Sequence, residues 1–282
     1  MYINSDMEIF DGETAQDRLL KSVYSTAFLR LLIKPLTLPA VSKAAGRFLD
    51  SRLSYHLIKP FIKANKIDMT DYEPKRYVSF NDFFTRRIRA GRRIIDKNAR
   101  IISPCDGKVS AYKIDSSSVF EIKHSLYSIY SLTRSKVLSE KFKGGTAVVI
   151  RLCVDDYHRY CYPISGIKST NVAVPGFLHT VNPAALAKEK VFVENSREYC
   201  LIKNSDVCLV QIEVGALMVG RISNNEMFTA SVVKGDEKGC FEFGGSTIVL
   251  LLDSKTDVRS EFLENTELGL ETLIKQGEAI SY

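Results

Sequence analysis

Residues 234–252 read KGDEKGCFEFGGSTIVLLL, a polar loop, a short aromatic stretch, then Gly244, Gly245, Ser246 and Thr247 at the entrance to an apolar run. Two glycines before a serine permit an unusual backbone turn and leave the Gly245 carbonyl sterically open. The Ser246 hydroxyl lies close to its own amide nitrogen. Once a base takes its proton, it can attack the Gly245 carbonyl through a five-membered ring and turn the peptide into an ester. Elimination across the Ser246 side chain then releases a β fragment, residues 1–245. The dehydroalanine left behind hydrolyses to a ketone, a pyruvoyl group capping an α fragment, residues 246–282. Such a ketone can condense with a substrate amine to a Schiff base and accept the electrons left when carbon dioxide departs. Taken by itself, Gly-Gly-Ser-Thr is far more often an ordinary turn.

A second group of residues could move protons. The chain has four histidines, His56, His124, His158 and His179. His158 stands in Asp156-Tyr157-His158-Arg159, and the bland reading of such a residue is a hydrogen-bonded core histidine. His179 stands in FLHTVNP, residues 177–183. Asp106 follows Pro104 and Cys105 and precedes Gly107, which alone marks a turn. The six cysteines form no C-x-x-C pair, so a structural zinc site is not expected, and no metal site is visible.

The elements that must position these residues divide into two halves. Between about residues 15 and 66 the apolar positions Leu19, Leu20, Val23, Tyr24, Phe28, Leu31 and Leu32 follow helical spacing, with breaks at Pro35 and Pro39. Further helices are predicted over 41–53 and 55–64, with Pro60 kinking the latter or starting its last piece. Such stripes either pack on the body or anchor the chain at a membrane surface. From Arg100 onward short runs rich in Val, Ile, Leu and Thr predict strands over 107–114, 119–122, 146–153, 198–202, 207–213, 216–222, 228–233 and 247–252. A last short helix is predicted over 264–277, ended by Gly277. The expected fold class is α+β: amphipathic N-terminal helices in residues 1–75, then a mainly antiparallel β sandwich or barrel in residues 76–282.

Composition narrows the setting. The 282 residues are 45% hydrophobic and 26% charged, which supports a packed core. The net charge of +6 conceals a window, residues 51–100, with 13 Lys+Arg against 5 Asp+Glu; the rest of the chain is slightly acidic. A basic cluster suits an anionic surface or is simply a solvated face. No helix-turn-helix, zinc-finger or RNP-like pattern accompanies it, so nucleic acid is not expected. No run is long and apolar enough for a membrane-spanning helix, since the longest uncharged stretch, residues 169–187, contains Pro175, Gly176 and Pro183. The acidic first residues do not resemble a signal peptide, and free thiols in a reducing compartment are the simplest expectation.

Six segments together resemble the phosphatidylserine decarboxylases, a pyruvoyl-dependent, self-processing family. They are FNDFFTRR (80–87), SPCDGKV (103–109), DYHR (156–159), VNP (181–183), VGA followed by VG (214–216 and 219–220), and the KG…GST segment from Lys234 to Thr247. They occur in the family's order and span about residues 78–252. The resemblance implies a lipid substrate, a pyruvoyl group made from Ser246, and cleavage between Gly245 and Ser246. It implies a peripheral enzyme at the cytoplasmic face of the cell membrane that turns phosphatidylserine into phosphatidylethanolamine and carbon dioxide. A homodimer is compatible with it. The resemblance makes Asp106 the carboxylate of an Asp-His-Ser relay. Phe83, Phe84, Arg86 and Arg87 suit a headgroup- and membrane-facing role, since aromatics embed in the interface while Arg holds phosphates and carboxylates, or else belong to a helix or loop packed on the body.

The chain departs from that pattern at one position. The family usually carries a second histidine three residues after the one at His158, and here that residue is Cys161. Three bases therefore compete: His158 itself, His179 gained nearby, or a Cys161 thiolate, ranked last because neutral thiols are poor bases. Alternative functions are a pyruvoyl-dependent decarboxylase of a free amino acid and an unprocessed lipid-binding homologue. A serine hydrolase lacks support, because no G-x-S-x-G elbow surrounds Ser246.

Overall fold

The computed structural model describes residues 1–4, 8–10, 39–122, 125–176, 194–215, 221–242 and 246–282. The predicted helical stripe over residues 19–32 and the positions Gly245 and His179 lie outside these.

Among the described residues an eleven-stranded sheet forms the frame. Its central strands run Arg197–Lys203, Cys208–Val214, Ser246–Leu252, Thr146–Leu152 and Gly107–Lys113, each antiparallel to the next. Ser246–Leu252 is buried at all seven positions, as a Val/Ile/Leu run covered on both faces should be. Alternate side chains feed two cores. Val210, Ile212, Val214, Val149, Val249 and Leu251 turn to one face, where the helices Ile129–Thr133 and Lys136–Phe142 add Ile129, Leu132 and Phe142. Leu209, Ile150, Ile248 and Leu250 turn to the other. A three-stranded sheet, ordered Ile222–Asn224, Glu237–Phe241, Arg159–Cys161, carries Tyr160 and Phe241 into that second core.

The main sheet ends on separate edge strands, Ala230–Val232 and Ile9–Phe10, so the sheets are open. The barrel alternative in the predicted fold class is thereby corrected; the mixed α+β class stands. Most predicted strands shift by one or two residues at their ends. The predicted helix over 264–277 does not form as such. The helix is Ser260–Glu267, and a strand, Glu271–Ile274, follows it. Gly269, at φ +75°, takes the left-handed conformation that ends the helix two residues past Glu267.

Residues 39–84 build a smaller core. The predicted helix over 41–53 is Pro39–Asp50. The predicted 55–64 helix divides into a 3-10 turn, Arg52–Leu57, and an α-helix, Ile58–Ala64. Pro60 is the third residue of the latter, where its missing N–H removes no intrahelical bond. A short helix, Phe80–Phe84, starts at Ser79, whose hydroxyl accepts the Asp82 amide. Leu49, Ile58, Phe80, Phe83 and Phe84 close this core.

Candidate active site

Three of the central strands bring Asp106 and Ser246 to one end of the main sheet. Ser246 opens its strand opposite Leu152. The ladder pairing Lys108 with Arg151 sets Gly107 beside Leu152 from the other side. Neighbouring strands lie about 4.8 Å apart, so Asp106–Gly107 and Ser246 flank Leu152 about 10 Å from each other. Gly107 must lack a side chain: a Cβ there would sit 2.8 Å from the Arg151 carbonyl oxygen. Beyond Leu152 the chain loops to His158, whose carbonyl accepts the Phe241 amide. The segments 152–158 and 241–246 are thus tied to each other at both ends, which confines His158 and Ser246 to the same corner.

Ser246 is 1% exposed, and its Oγ has no hydrogen-bond partner. A buried hydroxyl without a partner costs free energy, and such exceptions in a folded protein call for an explanation.

His158 is fully buried, with its ring centroid 4.1 Å from that of Phe84. Its Nδ1 lies 2.9 Å from the Asp156 carbonyl oxygen. A carbonyl can only accept, so Nδ1 carries the hydrogen and Nε2 is the bare nitrogen. Nε2 has no partner. Burial, reinforced by the Arg86 cation, pushes the imidazole down to about 3, so it is neutral at physiological pH.

Asp106 is buried and gripped by Arg93 through both carboxylate oxygens. The Gln276 amide donates to it as well, and Lys275 lies 3.7 Å away. Its strong partner is therefore an arginine. Its turn is nonetheless clamped to the strand after His158. The Cys161 amide donates to the Pro104 carbonyl, and Gln276 Nε2 donates to the carbonyls of Pro104 and Arg159. Asp106 thus braces the His158 strand from beside it.

Cys161 packs with Ala99, Ile102 and Ala279, fully enclosed. Burial pushes its thiol far above the ordinary range. A thiol held protonated by burial is a poor base, which argues against Cys161. All six cysteines are unpaired. Among the described residues no group of three His, Cys, Asp or Glu could hold a metal.

Three residues expected to face a membrane do not. Phe83 and Phe84 are completely buried and Arg86 is 2% exposed. Phe61 meets Phe80, Phe83 and Phe84 edge-on. The Arg86 guanidinium lies 4.2 Å from the Tyr72 ring centroid and donates to the Tyr72 hydroxyl and to the carbonyls of Asp155 and Asp156. Its work is to fasten the loop that carries His158. Arg87 does reach the surface, paired with Glu237 at 3.3 Å.

Sequence reasoning missed a buried charged group on the Ser246 face. Glu213 and Lys238 are both wholly buried, 2.8 Å apart. Lys238 also donates to Asn224, whose amide donates to Glu198. Lys238 enters the core because a β-bulge between Glu237 and Gly239 interrupts the pairing with Arg159–Cys161 and turns it inward. The available signal was Gln211 and Glu213, two polar residues at alternate positions of the apolar strand CLVQIEV.

A buried, unpartnered serine hydroxyl opens a central strand, and a bare imidazole nitrogen lies on the loop that follows its partner strand. The phosphatidylserine decarboxylase family model matches residues 80–281. The chain belongs to that family, one of carboxy-lyases. It is 42% identical to phosphatidylserine decarboxylase proenzyme 2 of Clostridium acetobutylicum, over 98% of this chain and 96% of that one. It is 37% identical to the phosphatidylserine decarboxylase proenzyme of Clostridium botulinum, over 99% and 98% of the two chains. A third proenzyme, of Clostridium beijerinckii, is 39% identical over 85% and 83%.

Proposed function

We propose that this chain is a self-processing decarboxylase that converts phosphatidylserine to phosphatidylethanolamine and carbon dioxide, with its prosthetic pyruvoyl group made from Ser246. The observation that carries this reading is the buried, unpartnered Ser246 hydroxyl at the head of a central strand, in a chain whose relatives are named proenzymes. The site fits the group: position 246 is enclosed, and Gly215, next after the Val214–Thr247 pair, brings no side chain against it. When formed, the pyruvoyl group supplies the electron sink for loss of carbon dioxide. His158 supplies proton transfer. Its bare Nε2 relays the proton that reaches the carbon that has lost its carboxylate. Residues 1–245 and 246–282 remain together as the β and α fragments, joined by the ladders on both sides of Ser246–Leu252.

Membrane contact falls to residues 1–75 in this reading, at a peripheral position on the cytoplasmic face. No helix among the described residues is long and apolar enough to cross a membrane. An open apolar groove of about 500 Å³, lined by Ala45, Phe48, Leu49, Leu57, Pro60 and Phe61, supports the reading. Phe48, Leu53, Tyr55 and Leu57 are exposed beside the exposed Arg47, Arg52, Lys59 and Lys63. Apolar side chains with a basic rim suit an anionic lipid surface.

The test is an assay of purified chain on phosphatidylserine vesicles beside free L-serine. Release of carbon dioxide with phosphatidylethanolamine formed from vesicles alone is expected. Turnover of free serine without turnover of the lipid would overturn the substrate assignment.

A further inference from the structure

Two buried polar groups on one face of the main sheet complement each other, a serine hydroxyl without a partner and a carboxylate in an ion pair with Lys238. Cys208–Val214 and Ser246–Leu252 are in register with Glu213 opposite Ile248. Ser246 lies two residues before Ile248, so its side chain turns to the same face as that of Glu213. The two positions are diagonal neighbours, with Cβ atoms about 7 Å apart. A glutamate side chain and one hydrogen bond span that separation. Ser246 Oγ, a donor, has no partner, and Glu213 Oε2, an acceptor, takes no well-formed hydrogen bond, although the Asn224 amide bears on the carboxylate. The other oxygen, Oε1, is held by Lys238.

We propose that Glu213 is a catalytic residue of self-cleavage, the acceptor of the Ser246 hydroxyl proton, and that Lys238 is the positioning residue that keeps it charged and aimed. The proposal rests on the self-processing reading given above. Glu213 takes the hydroxyl proton, and the electron pair of the O–H bond stays on Oγ. Oγ then forms its bond to the Gly245 carbonyl carbon. As the carbon–nitrogen bond breaks, its pair stays on the Ser246 nitrogen, which receives the proton back from Glu213. The carboxylate ends as it began, and no co-reactant is consumed.

The electrostatics agree with this division of labour. Burial pushes the Glu213 carboxyl above its ordinary range, and Lys238 draws it back. A carboxylate with a raised pKa is a stronger base than an exposed one, whereas the depressed His158 imidazole is a weaker one. The titratable groups around Glu213 are Lys238 from its own ion pair, Glu198 and Cys200 from the adjoining strand, Tyr160 and Tyr162 from the small sheet and its exit, and Cys105. Lys238 is the one cation in this set, so its removal moves Glu213 ionisation to higher pH.

The experiment follows the conversion of newly purified full-length chain into its two fragments by denaturing mass spectrometry, for wild type, Glu213→Gln, Lys238→Met and the double variant. Melting temperature is measured on each. Wild type is expected to cleave and Glu213→Gln to cleave at least 100-fold more slowly. The double variant, which leaves no unpaired buried charge, is expected to fold and to stay equally slow. Lys238→Met is expected to be slow at pH 7 and to recover as the pH rises to 9, a rescue that a merely structural role would not give. A folded double variant that cleaves at the wild-type rate, or no rescue of Lys238→Met, overturns the assignment of Glu213 and Lys238. A wild-type chain that never cleaves overturns the self-processing reading itself, and the assignment with it.

Discussion

The two faces of the main sheet are made by the same strands and have different chemistry. On one face Val210, Ile212 and Val214 meet Val249 and Leu251 under two short helices, and the packing is mainly apolar, with the buried Arg197 and Thr247 at the Val214 end. On the other, Leu209 gives way along the same strand to Gln211 and Glu213, and Leu252, Leu250 and Ile248 give way to Ser246. Polarity grows toward the end where Leu152, Gly107 and His158 converge. A strand can therefore hold a stabilising core on one alternate set of positions and a reactive site on the other, because successive side chains turn to opposite faces.

The comparison can be broken by substitutions chosen to separate chemistry from stability. His158→Gln, on the reactive side, should lower the rate of phosphatidylserine decarboxylation by about 10²–10⁴-fold, measured as carbon dioxide release. An effect below tenfold would remove His158 from the proton-transfer role. Phe142→Ala, under the apolar face, should cost about 3–5 kcal/mol in denaturant unfolding, from the lost burial and the cavity it leaves. It should leave chain cleavage intact, so a folded but uncleaved Phe142→Ala would show that the two faces are not separate.

A smaller effect comes from pH. His158 is held at about 3 in the fold, against about 6.5 in an unfolded chain. Between those values the unfolded chain binds a proton that the folded one refuses, so stability falls as pH falls through that window. Asp156 acts in the opposite sense: burial raises its carboxyl to about 6, so its contribution is lost as pH rises toward 6. The difference between wild type and His158→Gln isolates the imidazole. It should change by about 1.4 kcal/mol per pH unit, with wild type losing the more as pH falls from 6.5. A flat difference would mean that the ring protonates freely in the fold.

How much of this was legible beforehand depends on what each residue's role requires. Ser246 and His158 could be picked out because their neighbours form short motifs. The strands were legible because runs such as TAVVIRL and STIVLLL permit little else. The fate of Phe83, Phe84 and Arg86 was not, because aromatic and arginine side chains in sequence suit a membrane interface and a packed cation–aromatic cluster equally. Only the placement of Phe61 and Tyr72 against them decides for the core. Glu213 and Lys238 were illegible for a different reason. Their pairing depends on the packing of one sheet against another and on a bulge, and neither leaves a periodic trace in the sequence. Arg93, the partner of Asp106, was likewise one of many arginines in a basic window.

The central claim is that the chain cuts itself before Ser246, and denaturing mass spectrometry of the purified wild-type chain beside Ser246→Ala tests it most directly. The account predicts two wild-type fragments meeting at Gly245 and Ser246, the smaller with a pyruvoyl N-terminus, and a single intact chain for Ser246→Ala. A folded wild-type chain that stays intact would contradict the account and favour an unprocessed lipid-binding homologue.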